Sequence, residues 1–520
     1  MRDDSTRRPS RHLLLAALAG VVSGGAFLAV AELLALLIAR QASPIIAVGS
    51  FVIDIVPQPA KEFAIATFGS NDKLFLLVTL GVVVVVASAV AGILEVLRPP
   101  VGVAAIGVAG VLAMLASVTR TGAGVIAALP PIAGAVAGGV LLHLLAGRLR
   151  SWRRDETDED APRAQLDRRR FFQLAGITAA GALIVGVGSR IGNAAATSVA
   201  ALRAAVKLPA PRTALTVPAG ADLNIPGISP LFTSNADFYR VDTALTVPTV
   251  DPATWRLTVD GMVDRRVVLT FDELLGMGMD EYGITLTCVS NQVGGNLVGN
   301  ARWLGVPVRS ILAKAGPKSG ADMVLSRSVD GFTASTPLTS LTDPMLDAIL
   351  AVGMNGQPLP QEHGFPVRMV VPGLYGYVSA TKWLTQLTVT TFAKDQAYWT
   401  PRGYSERAPI KLSSRIDTPR IDKAVPPGPT TIAGVAWAQS VGIAVVEVKI
   451  DEGPWRPATL APAINADSWV QWHLDWTATS GTHTMTVRAT DAHGKMQTAD
   501  RAPIAPNGST GWQSTLIRVS

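Results

Sequence analysis

Four long apolar stretches in the first third of the chain limit its fold more than any other feature. A helix needs about 20 apolar residues to cross the hydrocarbon of a bilayer, and segments 12–39, 73–97, 101–119 and 122–147 each meet that length. No water reaches the backbone there, so every peptide group must be satisfied internally, as a helix does. Residues 1–150 are therefore expected to form a transmembrane α-helical bundle with membrane lipid as its partner, and 171–190 adds a fifth span. Segment 44–68 is also apolar, but Pro44, Pro57 and Pro59 with Asp54, Lys61 and Glu62 interrupt it. It reads as a loop or an interfacial helix. The chain has 520 residues and is 48% hydrophobic, with most of the excess before residue 190, so the remainder reads as soluble domains.

Basic residues set the orientation, because cytoplasmic loops carry the positive excess. Arg2, Arg7, Arg8 and Arg11 place the N-terminus inside. Arg98 falls between the second and third spans, and Arg148, Arg150, Arg153 and Arg154 follow the fourth. Five spans then put residues 191–520 on the extracytoplasmic side of a bacterial cell membrane. The linker 151–170 leads into "DRRRFFQLAGITAAGALIVGVG", residues 167–188, where Arg168 and Arg169 precede Phe171, Phe172 and a weakly apolar helix. This resembles a twin-arginine export signal, which carries folded proteins with their cofactors installed. Ordinary positive flanking of a membrane helix is the other reading.

Cys288 is the only cysteine. A single thiol closes no disulfide within the chain, which leaves a buried filler, a reactive thiol or a metal ligand. The Ala- and Pro-rich 191–225 reads as a linker, and the pattern then becomes mixed α+β. "WRLTVDGMV" and "RRVVLTF" read as strands and "FDELLGMG" as a helix start. "YGITLTC" is a strand that delivers Cys288 to its C-terminal end, and "VSNQVGGNLVGNARW" after it has loop composition. Ligands commonly sit at such a handover from strand to loop.

"LTCVSNQVGGNLVGNARWLGVPV" and "MNGQPLPQEHGFPVRMVVPGLYGYVSATKWL" together resemble the sulfite oxidase family of molybdopterin enzymes, over about residues 230–395, within a domain expected at 226–400. The resemblance implies a molybdenum–molybdopterin cofactor with Cys288 as the protein ligand of the metal. A soft thiolate suits such a centre. It also implies that His363, Arg368 and Lys382 hold the pterin phosphate and ring, with Gly364, Pro366, Pro372 and Gly373 shaping the loop. Arg240 matches the arginine that faces the anionic substrate, and Asn235, Phe238 and Tyr239 are implied near the cofactor, as are Asp330 and Ser335. Asp242 stands where animal and plant members commonly have histidine, and Arg302 is either an anion contact or a structural partner. One departure affects the substrate. The family's Gly-Asn-Arg-Arg after the cysteine is here Ser290-Asn291-Gln292-Val293, so two cations that assist sulfite binding are missing.

Residues 401–520 turn all-β, with "VVEVKIDEG", "WVQWHLDWTA" and "THTMTVRATDAHG" alternating between turns as in an immunoglobulin-like sandwich. This resembles the family's dimerisation domain and implies a homodimer. His473, His483 and His493 have no metal-ligand spacing. In the membrane part only His12 and His143 are available to a haem, and both fall near helix ends, so haem is not expected. Glu32 and Glu95 are carboxylates within or near the spans, functional or simply facing the interior.

The expected protein is a membrane-anchored molybdopterin oxidoreductase acting on sulfite, a sulfoxide or a similar oxo-anion, with an external electron carrier or quinone. A non-catalytic binding protein on a membrane scaffold is the competing class. The net charge of +6 lies largely in juxtamembrane arginines, which argues against a nucleic-acid partner.

Overall fold

The computed structural model describes residues 8–38, 43–56, 60, 67, 72–119, 125–155, 169–180, 194–420 and 422–520. The chain divides into two compact units, Met1–Thr197 with Thr243–Val247, and Ser198–Asp242 with Pro248–Ser520.

The first unit contains α1 (Arg8–Ile38), α2 (Pro44–Ile55), α3 (Asp72–Leu97), α4 (Val101–Val118) and α5 (Leu129–Asp155). Among the described residues, four helical stretches are long and apolar enough to cross a membrane: Arg11–Ile38, Phe75–Leu97, Val101–Val118 and Val125–Arg153. They fit a membrane anchor. Small residues bring the helices together, as expected where lipid removes any hydrophobic advantage of contact. A Cβ on Gly20 would collide with the Ser88 carbonyl, and one on Gly92 with the Ala16 carbonyl. Residues 169–180 are helical, and Phe171 and Ala175 pack with Ala16, Leu145 and Trp152. Arg168 and residues 181–190 lie outside the described residues, so the export-signal reading is only partly covered.

Glu32 and Glu95 both cap helices. Glu32 Oε1 accepts from Ser43 Oγ at 2.8 Å and Ile45 N at 3.2 Å at the start of α2. The buried Glu95 accepts from Val103 N at 3.0 Å at the start of α4, and His143 Nδ1 lies 3.7 Å from its other oxygen. Helix N-termini carry orphan N–H groups and a positive partial charge, which answers why acids sit there. His12 meets the Trp152 ring edge-on at 5.9 Å. In the region expected as a loop or interfacial helix, α2 accounts for 44–55; most of the rest lies outside the described residues.

A short helix, α6 (Ala194–Ala205), which belongs to the second unit from Ser198 on, occupies part of the expected linker, and its Arg203 Nε donates to the carbonyl of Leu359 at 2.9 Å. Two sheets follow, the first mixed and the second antiparallel. One has the order β2–β1–β10–β5–β6, from β1 (Arg256–Gly261), β2 (Val267–Thr270), β5 (Met323–Ser328), β6 (Thr333–Pro337) and β10 (Leu384–Thr390), with β1 and β10 parallel. The other has the order β3–β4–β7–β8, from β3 (Asp280–Thr287), β4 (Val298–Pro307), β7 (Ile349–Met354) and β8 (Gln357–Pro358), with β9 (Arg368–Val370) pairing β7. Between β2 and β3, α7 (Phe271–Leu275) starts with a capping box between Thr270 and Glu273.

The stretch expected as loop up to Trp303 is loop only as far as Leu297; Val298–Pro307 is β4, antiparallel to β3. Its Gly and Asn residues serve tertiary packing. Asn300 is fully buried, donating to the Leu231 carbonyl at 2.9 Å, and Gly299 makes room for the Phe238 ring.

The all-β region is two four-stranded sheets. The first is β11 (Ser413–Thr418), β12 (Gly428–Trp437), β16 (Val470–Ala478) and β15 (Thr459–Leu460). The second is β14 (Trp455–Pro457), β13 (Ile443–Ile450), β17 (Gly481–Asp491) and β18 (Gln513–Val519). Ile432, Val446, Trp472, Met485 and Ile517 form the core between them.

Candidate functional site

Cys288 is the residue immediately after β3, and its N–H donates to the Leu297 carbonyl at 2.9 Å, extending the β3–β4 ladder past the strand end. The side chain is buried at 8% exposure. Burial pushes the thiol pKa up, partly offset by the Ser290 N–H at 3.4 Å from Sγ and by the Ser290 hydroxyl. The following loop is fixed by Asn291, whose N–H donates to the Cys288 carbonyl at 3.0 Å and whose Oδ1 accepts from Leu297 N at 2.8 Å.

Arg240, Arg368 and Lys382 form a cationic group around His363. Lys382 Nζ donates to Asp242 Oδ2 at 2.7 Å and to the Glu362 carbonyl at 3.0 Å. Arg240 Nε donates to the same Asp242 oxygen at 2.9 Å, with its own side chain 38% exposed. Arg368 is buried under the Trp303 ring, 5.1 Å from its centroid, and Nη1 donates to the His363 carbonyl at 3.2 Å. Gly364 lets these side chains converge: its φ is +110°, and a Cβ there would come within 3.0 Å of Arg368 and 3.1 Å of Lys382.

Burial lowers Lys382 to about 8, although Asp242 pulls it up, and lowers Arg368 to about 10. Burial, then Arg368 and Lys382, hold His363 at about 4, so its ring is neutral at pH 7. Its Nε2 lies 3.1 Å from the Asn235 carbonyl. A carbonyl only accepts, so Nε2 carries the proton and Nδ1 is left as an acceptor.

Asn235 Oδ1 accepts from Asn355 Nδ2 at 2.9 Å, which fixes the segment before Arg240. Phe238 is buried, stacks on Tyr239 at 5.3 Å and meets His363 and Trp303 edge-on at 5.6 and 5.8 Å. Tyr239 links the two halves of the site electrostatically. Burial and then Cys288 raise its hydroxyl pKa, and Arg368 lowers it. The structure therefore gathers Asn235, Phe238, Tyr239, Arg240, His363, Arg368 and Lys382. Asp330 and Ser335 make other described contacts, Asp330 with Phe332 N at 3.3 Å and Ser335 with the Glu406 carbonyl at 3.4 Å. Arg302 lies 3.8 Å from Glu281, a structural ion pair.

Asp242 and Trp303 were not singled out for these roles by sequence. Asp242 was visible only as a departure from the family pattern, and its partner Lys382 is 140 residues away.

Buried Lys382 and rim Arg240 share the carboxylate of Asp242, and buried Arg368 adds a third cation that donates to the His363 and Met369 carbonyls, a positive excess that calls for an anion. A buried thiol on a fixed strand end is the donor that a soft, thiolate-binding metal requires. The residues present thus fit an anionic, phosphate-bearing metal cofactor.

The family model for an oxidoreductase molybdopterin binding domain matches residues 244–399. Sulfite oxidase from Gallus gallus is 32% identical over 308 residues, covering 50% of this chain and 67% of that protein. Mitochondrial sulfite oxidase from Homo sapiens is 31% identical over 311 residues, covering 50% of this chain and 56% of that protein. The chain thus spans about half to two thirds of these relatives. A solved structure, the sulfane dehydrogenase SoxCD from Paracoccus pantotrophus, aligns over 59% of this chain and 88% of its own at 22% identity, with a TM-score of 0.49.

Proposed function

Since the chain belongs to the sulfite oxidase family of molybdopterin-dependent oxidoreductases, we propose that it is a membrane-anchored enzyme that transfers an oxygen atom to or from a small oxo-substrate outside the cytoplasm. The observation that carries this is Cys288 at the end of β3 beside a buried cationic group with too few carboxylates to balance it. The arginines at 2, 7, 8, 11, 98, 148, 150, 153 and 154 support the outward orientation.

Bound molybdenum–molybdopterin supplies the two-electron oxygen-transfer chemistry, and the protein supplies orientation and electrostatics. Cys288 holds the metal as thiolate. Lys382 and Arg368 bind the pterin phosphate, and His363 offers Nδ1 as an acceptor toward the pterin while Nε2 stays on Asn235. Asp242 holds Lys382 and Arg240 in place, so Arg240 meets the substrate from a fixed direction. Phe238 and Tyr239 close the site and limit water, and Asp330 and Ser335 complete the cofactor surround. Electrons pass to or from an external carrier or quinone, and the β-sandwich is the dimer contact.

A second reading, sulfoxide reduction, is favoured by one observation: Ser290-Asn291-Gln292-Val293, directly after Cys288, carries no charge. A dianion gains much of its binding from arginine, whereas a neutral sulfoxide needs only hydrogen bonds. Steady-state assays with sulfite and with a sulfoxide separate the two directions.

The test of the enzyme reading is metal analysis of the detergent-purified chain and of Cys288→Ala. About one molybdenum per chain in the wild type, lost or spectroscopically changed in the variant, is the expected result. No molybdenum in either, from a host that makes the cofactor, would leave a membrane-anchored binding protein.

A further inference from the structure

The loop after Cys288 is held from the β-sandwich. Ser509 Oγ donates to the Asn291 carbonyl and Arg415 Nη1 to the Gly295 carbonyl, both at 2.7 Å. The strand before it is held too: Trp469 N donates to Thr285 Oγ1 at 2.8 Å, and Gln439 Nε2 donates to the Thr285 carbonyl.

Between these clamps lies a small cavity whose lining includes Thr287, Asn291, Tyr375, Trp437 and Ser509. None of its lining side chains carries a charge. Thr287 and Trp437 both belong to this lining, both are 2% exposed, and Thr287 Oγ1 and Trp437 Nε1 both lack a hydrogen-bond partner. Leaving such groups unmet costs about 1–3 kcal/mol each. Two orphans on one cavity wall point to a shared partner. The indole N–H only donates and the hydroxyl does either, so the partner must accept from one and bond the other. The cavity has room for about one or two water molecules, and its uncharged lining gives an ion no compensation for lost hydration.

We propose that this cavity holds an ordered water bridging Trp437 Nε1 and Thr287 Oγ1, which makes Trp437, a residue of the β-sandwich, a positioning residue for Cys288. The water ties the end of β12 to the residue preceding the thiol. Cys288 is thereby fixed on both sides, by the Ser509 and Arg415 bonds after it and by the bridge before it. The inference needs only the placement of Cys288 at the end of β3, so failure of the molybdenum analysis would leave it standing.

The test exploits the single cysteine. In the full chain, purified in detergent from a host lacking the cofactor, the alkylation rate of Cys288 is measured for wild type, Thr287→Val, Trp437→Phe and the double variant. Loss of either end removes the same bridge, so each single variant is expected to raise the rate about tenfold, the equivalent of one net hydrogen bond. The double variant should add nothing further. Thr287→Ser keeps the hydroxyl and should retain the wild-type rate, and melting curves confirm that each variant is folded. Effects that multiply in the double variant, or rates unchanged in both single variants, would overturn the bridge. So would a high-resolution crystal structure with no water between the two atoms.

Discussion

Lys382 Nζ lies 2.7 Å from Asp242 Oδ2, and neither side chain is more than 10% exposed. Neutralising one member of a buried pair leaves the other charge in a poor environment, which typically costs about 3–5 kcal/mol. Asp242→Asn should therefore destabilise the cofactor-free chain by about 3 kcal/mol. In the loaded chain a bound phosphate would face the same cations, so the loss should be smaller. Thermal unfolding of both forms, followed by tryptophan fluorescence, measures the difference. Equal losses would mean that no anion binds at these cations.

The same lysine predicts a pH dependence. Burial holds Lys382 at about 8 in the folded chain against an ordinary 10.5. Between those values the unfolded state keeps a proton that the folded state has released, so stability rises with pH across the window. Lys382→Met removes the group and should flatten the rise. Unfolding midpoints of the cofactor-free wild type and variant between pH 8 and 10 test it; this range lies below the ordinary tyrosine pKa of 10.

Asp467 predicts a slope of opposite sign. Burial lifts it to about 6 from 3.8, although Ser440 N and Oγ both donate to its Oδ1 at 3.0 Å. Between about 4 and 6 the folded state binds a proton that the unfolded state lacks. Stability accordingly falls as pH rises through that window and stays lower above it. An asparagine oxygen accepts the same two bonds, so Asp467→Asn should stabilise the chain at neutral pH by on the order of 1 kcal/mol and remove the slope. A variant less stable than wild type at pH 7 would refute this account.

In the helical first unit, a side chain at Gly92 would collide with the Ala16 carbonyl of α1. Gly92→Leu should separate α1 from α3 and lower the melting temperature of the detergent-solubilised chain by several degrees, about 2 °C or more per kcal/mol. An unchanged melting temperature would show that this contact contributes nothing to holding the bundle together.

How much of this was legible depended on whether the cause is local. The strand ending at Cys288 is readable because "YGITLTC" has strand residues over its whole length, and the spans are readable because lipid imposes a length. The strand β4 was hidden. Its Gly299 and Asn300 suggest a loop by propensity, yet they are chosen by the Phe238 ring and the Leu231 carbonyl. The phosphate-type cations were found through family likeness, while the reason they can be buried together, Asp242, depends on a contact 140 residues long. Glu95 was visible as a membrane carboxylate, but its capping of Val103 needed the turn between α3 and α4 to be built first.

The clamp on the loop after Cys288 also sets an order of assembly. A ribosome that has released residues 1–400 has already made the thiol and every cation of the site. It has not yet made Arg415, Trp437 or Ser509, which fix the thiol's loop and face its cavity. The surroundings of the thiol are thus completed only by residues made after position 400. Cutting the chain before Ser509 should therefore loosen the loop of a cysteine that lies more than two hundred residues upstream.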